Sequence, residues 1–75
     1  MGKSTRKLRN NMRQFRQDCN GMTQQELADL VGITRQTVNA IEGNKYSPSL
    51  EVAFMIAEVL NAKIGDVFEY DRGAV

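Results

Sequence analysis

The sequence has no histidine, no tryptophan, one cysteine and one proline in 75 residues. The missing histidine excludes a histidine-based catalytic triad and a zinc site of the usual His/Cys kind. The single thiol, Cys19, cannot close an internal disulfide, which fits a reducing, intracellular setting; it reads as an inert surface or half-buried residue. No stretch of about 18 apolar residues exists to span a membrane. The N-terminus is basic but lacks the apolar run of a signal peptide, so the expected location is the cytoplasm. No phosphate loop or metal cluster is present, only stray carboxylates. The chain is therefore expected not to be an enzyme, with no catalytic residue, metal or cofactor.

What is present is unevenly distributed. Residues 1–45 hold eight Lys/Arg against four Asp/Glu, whereas residues 46–75 hold two against five. Six basic side chains (Lys3, Arg6, Lys7, Arg9, Arg13 and Arg16) fall within the first 16 residues, with no acid among them. Such asymmetry points to one face or arm that meets a polyanion. The length allows a single domain, 1–75, around one core. A chain this short buries only about 60% of its unfolded surface, so pairing with a second copy would help it.

Hydrophobic spacing reads as short helices throughout. After a basic arm (1–5), Leu8, Met12 and Phe15 recur at helical intervals, predicting a first helix over about Thr5–Asp18 that Asn20-Gly21 ends. Thr23-Gln24-Gln25-Glu26 is a capping box opening a second helix with a Leu27, Leu30, Val31 stripe. Gly32 stops it, and Thr34 starts a third helix two residues later, with Val38 and Ile41 on one face and Gly43-Asn44 at its end. Ser49 caps a fourth helix running to about Leu60, apolar around most of its circumference and so needing burial on more than one side. A last short helix is expected over about Gly65–Phe68, then an extended tail (69–75).

The turn Val31-Gly32-Ile33 leaves too little chain for antiparallel helices, so the second and third must cross steeply. Ala28, four residues before the glycine, permits the close approach. This is the spacing of a helix-turn-helix, from Thr23 to Glu42. With Val38 and Ile41 turned inward, Arg35, Gln36, Thr37, Asn39 and Ala40 remain outside. Arginine and glutamine can pair bidentately with guanine and adenine edges, threonine offers a methyl and a hydroxyl, and Ala40 permits close approach to a groove floor. An ordinary solvated helix would carry more Lys/Glu pairs.

From Met22 to Phe68, the string MTQQELADLVGITRQTVNAIEGNKYSPSLEVAFMIAEVL with its IGDVF ending resembles the phage-repressor type of helix-turn-helix regulator, the Xre or Cro/repressor-like family; the likeness extends more loosely over the first helix. The resemblance implies an all-α fold, a compact lambda-repressor-like bundle of about five helices, with the third helix in the major groove of double-stranded DNA. It implies base-edge positions at Arg35, Gln36 and Ala40, with Thr37 and Asn39 beside them, able to meet either base edges or phosphates. It places Gln24 against a phosphate and near Gln36, Thr34 at a phosphate, and Asn44, Lys45 and Tyr46 in a loop that meets the backbone again. Arg16 matches a family arginine that pairs with the residue here at Glu42, a structural tie between the first and third helices. Two features depart from the pattern. The 16–22 loop is one residue longer than the shortest in the family. The usual asparagine-glycine is reversed at Gly43-Asn44, which moves the expected left-handed residue one step earlier.

One recognition helix reads few bases. A bidentate contact discriminates by about 1–3 kcal/mol, against the roughly 4–10 kcal/mol that separates specific from random binding. A homodimer on a two-fold symmetric operator is therefore expected, through Phe54, Met55 and Glu58 of the fourth helix and Phe68 and Tyr70 of the last segment. The function expected is transcriptional regulation, most simply repression by occluding a promoter, without a small-molecule ligand. A protein-interaction module that has lost DNA contact is the competing class, and the polar outer face of the third helix speaks against it.

Overall fold

Two asparagines decide where the first helix begins. The Asn10 side chain accepts a hydrogen bond from Met12 N at 3.1 Å, and the chain turns into α1 (Met12–Asp18) only from there. In the computed structural model, which describes residues 7–71, the four residues ahead of the turn form a strand, β1 (Lys7–Asn10). Its partner is β2 (Phe68–Asp71), antiparallel, with Leu8 opposite Tyr70 and Asn10 opposite Phe68. The fold is thus not purely all-α. The expected first helix loses its N-terminal part to β1, and the start of the expected tail becomes β2. Residues 1–6, which include the basic arm 1–5 and the first two residues of the expected helix, and residues 72–75 lie outside the described residues.

The physical reason is tertiary. Asparagine's short amide competes with helical backbone bonding, and both asparagines find better partners across the fold. Asn11 N donates to Val67 O at 2.7 Å. Its side chain donates to Asp66 O at 3.0 Å and to Glu69 Oε2 at 2.8 Å. The start of α1 is thereby pinned to the segment leading into β2.

The middle of the chain follows its local signals. Thr23 caps α2 (Gln24–Val31), accepting from Glu26 N at 3.0 Å while Thr23 N donates to Glu26 Oε1 at 2.8 Å. Gly32 ends the helix in the left-handed region (φ 87°), where a side chain would be strained. Thr34 then caps α3 (Arg35–Glu42), accepting from Thr37 N at 3.1 Å. The α3 exit corrects one expectation: Gly43 is right-handed at φ −83° and Asn44 takes the left-handed conformation at φ 60°. Asparagine tolerates that region. A side chain at Gly43 would stand 3.3 Å from Asn39 O, so the glycine serves close backbone approach.

Ser49 caps α4 (Leu50–Val59), and α5 (Ile64–Val67) closes the bundle. The core gathers Met12, Leu27, Ala28, Val31, Val38, Ile41, Ile56, Ala57, Leu60 and Val67. Half-buried Phe15, Met22 and Ile33 pack against it, and so does Cys19, whose thiol lies 3.6 Å from Leu60 O. Burying one such leucine or isoleucine contributes about 1.5–3 kcal/mol. Helix α4 buries Ala53, Ile56 and Ala57, half-buries Val52, Met55 and Val59, and leaves Leu50 and Phe54 71% and 54% exposed. Among the described residues, no helix is long and apolar enough to cross a membrane.

Candidate nucleic-acid interface

Helix α3 has one apolar face and no more. Only Val38 and Ile41 are buried, and they anchor it on α2 and the core. Arg35, Gln36 and Asn39 are exposed; Thr37 and Ala40 are half-buried. At about 100° per residue, Gln36, Ala40 and Thr37 lie toward one side of the helix, and Arg35, Asn39 and Glu42 toward the other.

The two sides border different grooves. One is lined by Thr34, Gln36, Thr37, Ala40 and Tyr46. Here Thr34 and Thr37 engage each other, their hydroxyls 2.8 Å apart, and among the described residues Gln36 and Tyr46 make no side-chain hydrogen bond. The tip of the loop after α3 closes this side with Tyr46, which is 56% exposed. The other groove lies between α3 and α1, and Arg13, Gln24, Asn39, Glu42 and Lys45 border it.

The second side is closely bonded. Arg16 Nε donates to Glu42 Oε2 at 2.6 Å and Nη2 to Oε1 at 3.0 Å, a bidentate pair with side chains only 11% and 9% exposed. Its third nitrogen, Nη1, donates to Met22 O at 2.6 Å and fixes the loop before α2. Charge-assisted, two-pronged bonding of this kind sets geometry as well as energy. Gln24 Nε2 adds bonds to Glu42 Oε1 at 3.1 Å and Asn39 Oδ1 at 3.2 Å. The only acid of α3 is therefore matched inside the fold, so the outer surface of the helix keeps a basic balance.

Sequence reasoning placed Gln24 near Gln36; the structure joins it to Asn39 and Glu42 instead. With its amide nitrogen so engaged, the donors left to Gln24 are in its backbone, at the first position of α2. Thr34 stands at the α3 N-cap. Asn44 and Lys45 sit on the loop that Lys45 N ties back to Ala40 O at 2.9 Å. Of the five residues expected to pair two copies, Phe54 and Glu58 are exposed one turn apart on α4, and Tyr70 is exposed on β2. Met55 and Phe68 pack partly against the core.

Asn10 is the residue the sequence did not single out. Its Nδ2 donates to Ile41 O at 2.9 Å and to Asn44 Oδ1 at 3.0 Å, holding the end of α3 and the following loop. The doubled asparagine inside a basic helical pattern was the available signal.

The helix-turn-helix family profile matches residues 12–67. The chain belongs to the Xre-type helix-turn-helix family of transcriptional regulators. Among relatives of this family, an uncharacterized HTH-type transcriptional regulator from Archaeoglobus fulgidus is 48% identical over 65 residues, covering 87% of this chain and 90% of the relative. Of solved structures, the transcriptional regulator VanUg superposes with a TM-score of 0.73 at 26% identity, covering 95% of this chain and 92% of that one. The clp gene regulator ClgR of Corynebacterium glutamicum gives 0.68 at 27% identity, over 73% of this chain and 57% of the longer regulator. The 12–67 match starts at α1 and ends with α5, so the strands β1 and β2 lie outside the residues that the family profile matches.

Proposed function

We propose that this Xre-type domain is a sequence-specific double-stranded DNA-binding repressor that acts from the cytoplasm as a homodimer on a two-fold symmetric operator. The observation that carries the reading is α3 itself. It commits two side chains to the core, has its single acid paired within the fold, and presents Arg35, Gln36, Thr37, Asn39 and Ala40 outward. In the major groove, Arg35 suits the paired acceptors of guanine, Gln36 suits adenine, and Ala40 with the Thr37 methyl suits thymine. Thr34, Asn44, Lys45, Tyr46 and the backbone N–H of Gln24 flank them as phosphate contacts that fix register. Exposed Phe54 and Glu58 on α4, with Tyr70 on β2 and the uncovered parts of Met55 and Phe68, supply a second copy's contact. Occupation of the operator then excludes polymerase from an overlapping promoter.

The test is binding to duplex DNA at graded salt. A chain that neutralises phosphates loses affinity with a log–log slope of about −0.9 per contact. A half-site recovered from a random library should recur about one helical turn, roughly 34–36 Å, away. A salt-insensitive interaction, or none, would place the chain among protein-interaction modules instead.

A further inference from the structure

The hydrogen bonds between α1 and α3 run in one direction. Arginine has only donors and a carboxylate only acceptors. Glu42 therefore accepts on both oxygens, and the end of the Gln24 amide that meets Oε1 at 3.1 Å has to be its nitrogen. That nitrogen carries a second proton, directed at Asn39 from 3.2 Å, so the Asn39 atom there has to be Oδ1. An asparagine amide is ordinarily free to be turned over, its two ends being alike in shape. Here the turn would set Asn39 Nδ2 against Gln24 Nε2, donor against donor. The chain Arg16, Glu42, Gln24, Asn39 fixes the outer amide with Oδ1 toward Gln24, so a groove-lining residue keeps its two N–H groups as donors. No hydrogen bond to another described residue engages Asn39 Nδ2.

The same groove holds two cations besides Arg16, which is paired with Glu42. Arg13 comes from α1 and Lys45 from the loop after α3, and both line the groove with Asn39. Neither side chain has an ion pair among the described residues. The Glu42 carboxylate also borders the groove but is matched by Arg16 and Gln24. Two positive charges and a directional donor around a polar recess suit an oxyanion better than a base edge.

We propose that this groove binds one phosphate of the DNA backbone, held by Arg13, Lys45 and Asn39 Nδ2, and that Gln24 positions Asn39 as a donor only. The inference rests on the DNA-binding reading above and adds to it. Arg13 becomes a binding residue, and of the two roles open to Asn39, base edge or phosphate, the groove assigns it the backbone.

The experiment measures binding of the full chain by fluorescence anisotropy at graded KCl. The probes are a random-sequence 20-bp duplex and a site selected by the wild type. Arg13→Ala should weaken both duplexes alike and reduce the salt slope by about 0.9. Asn39→Ala should weaken both alike, about tenfold, since a donor to a charged oxygen is lost, with the slope unchanged. Asn39→Asp, which presents a carboxylate to the phosphate, should lose more. Gln24→Met should match Asn39→Ala, and in the Asn39→Ala background it should cost nothing further. A merely structural glutamine would not show that coupling. The proposal is overturned if Arg13→Ala leaves the slope unchanged, if Asn39→Ala alters the selected base at any position, or if the Gln24 and Asn39 losses add. Those results leave DNA binding by the wild type intact. A wild type that bound neither duplex would sink the regulatory reading and this site with it.

Discussion

The two sides of α3 are built in opposite ways. Toward α1, Arg16, Glu42, Gln24 and Asn39 form a bonded chain with two half-buried or nearly buried members at its base. Toward the Tyr46 loop, Gln36 and Ala40 make no side-chain hydrogen bond to other described residues, and only the Thr34–Thr37 pair is closed. Arg35, at the first position of the helix, likewise makes no side-chain hydrogen bond to another described residue. A side chain already engaged inside the fold holds position well and adapts poorly; a free one can be matched to whatever base edge it meets. The difference assigns placement of the helix to the bonded side chains and readout to the unbonded ones, Arg35 included. It also shows how eight residues can do both: Glu42, the base of the bonded chain, lies about 120° around the helix from Gln36, and Asn39 lies between them, about 60° from Gln36.

The largest expected effect comes from breaking the bonded side at its base. Glu42→Ala leaves the Arg16 guanidinium nearly buried without its carboxylate, which costs about 3 kcal/mol or more. Thermal unfolding followed by circular dichroism should show the midpoint lowered by more than about 10 °C, because each kcal/mol is roughly 4–8 °C in a domain of this size. A midpoint within a few degrees of wild type would mean the pair contributes no more than a surface ion pair.

Removing Arg35 should do the reverse. Arg35→Ala is expected to leave the midpoint unchanged and to reduce discrimination at one base position by about 1–3 kcal/mol. Competition between the selected site and its single-base variants measures this directly.

Asn10→Ala sharpens the comparison from a third direction. It removes the side-chain bonds to Ile41 O, Asn44 Oδ1 and Met12 N, and should destabilise by about 1–2 kcal/mol. Amide hydrogen exchange should accelerate first at the end of α3 and its loop, while the centre of α2 stays protected. The smallest change is expected from Lys45→Ala, which should leave stability alone, weaken all duplexes equally and lower the salt slope by about 0.9.

How much of this was legible depended on whether the deciding interactions were local. Thr23 and Glu26, Gly32, Thr34 and Ser49 act on residues within four positions of themselves, so α2, α3 and α4 could be located from sequence. Strand β1 could not, because Leu8, Met12 and Phe15 keep helical spacing straight through it. Residues 7–10 are extended only because Phe68–Asp71 returns alongside them, some 60 residues later in the chain. The exit of α3 was misread for a related reason: glycine is the usual left-handed residue, but here Gly43 is needed for its lack of side chain and Asn44 takes the turn. Within the site, the outward residues of α3 followed from periodicity alone. Which of them Gln24 would bond did not. Gln36 and Asn39 both lie on the outside of α3, and the choice falls to Asn39 because Glu42, one turn on, draws the Gln24 amide to that side.

The division of α3 into holding and reading side chains is tested most directly by selecting bound sites from a random library with three proteins: the wild type, Gln36→Ala and Asn39→Ala. The account predicts that Gln36→Ala returns a motif relaxed at one position, whereas Asn39→Ala returns the wild-type motif at lower affinity. The same motif from wild type and Gln36→Ala, or an altered motif from Asn39→Ala, would contradict it.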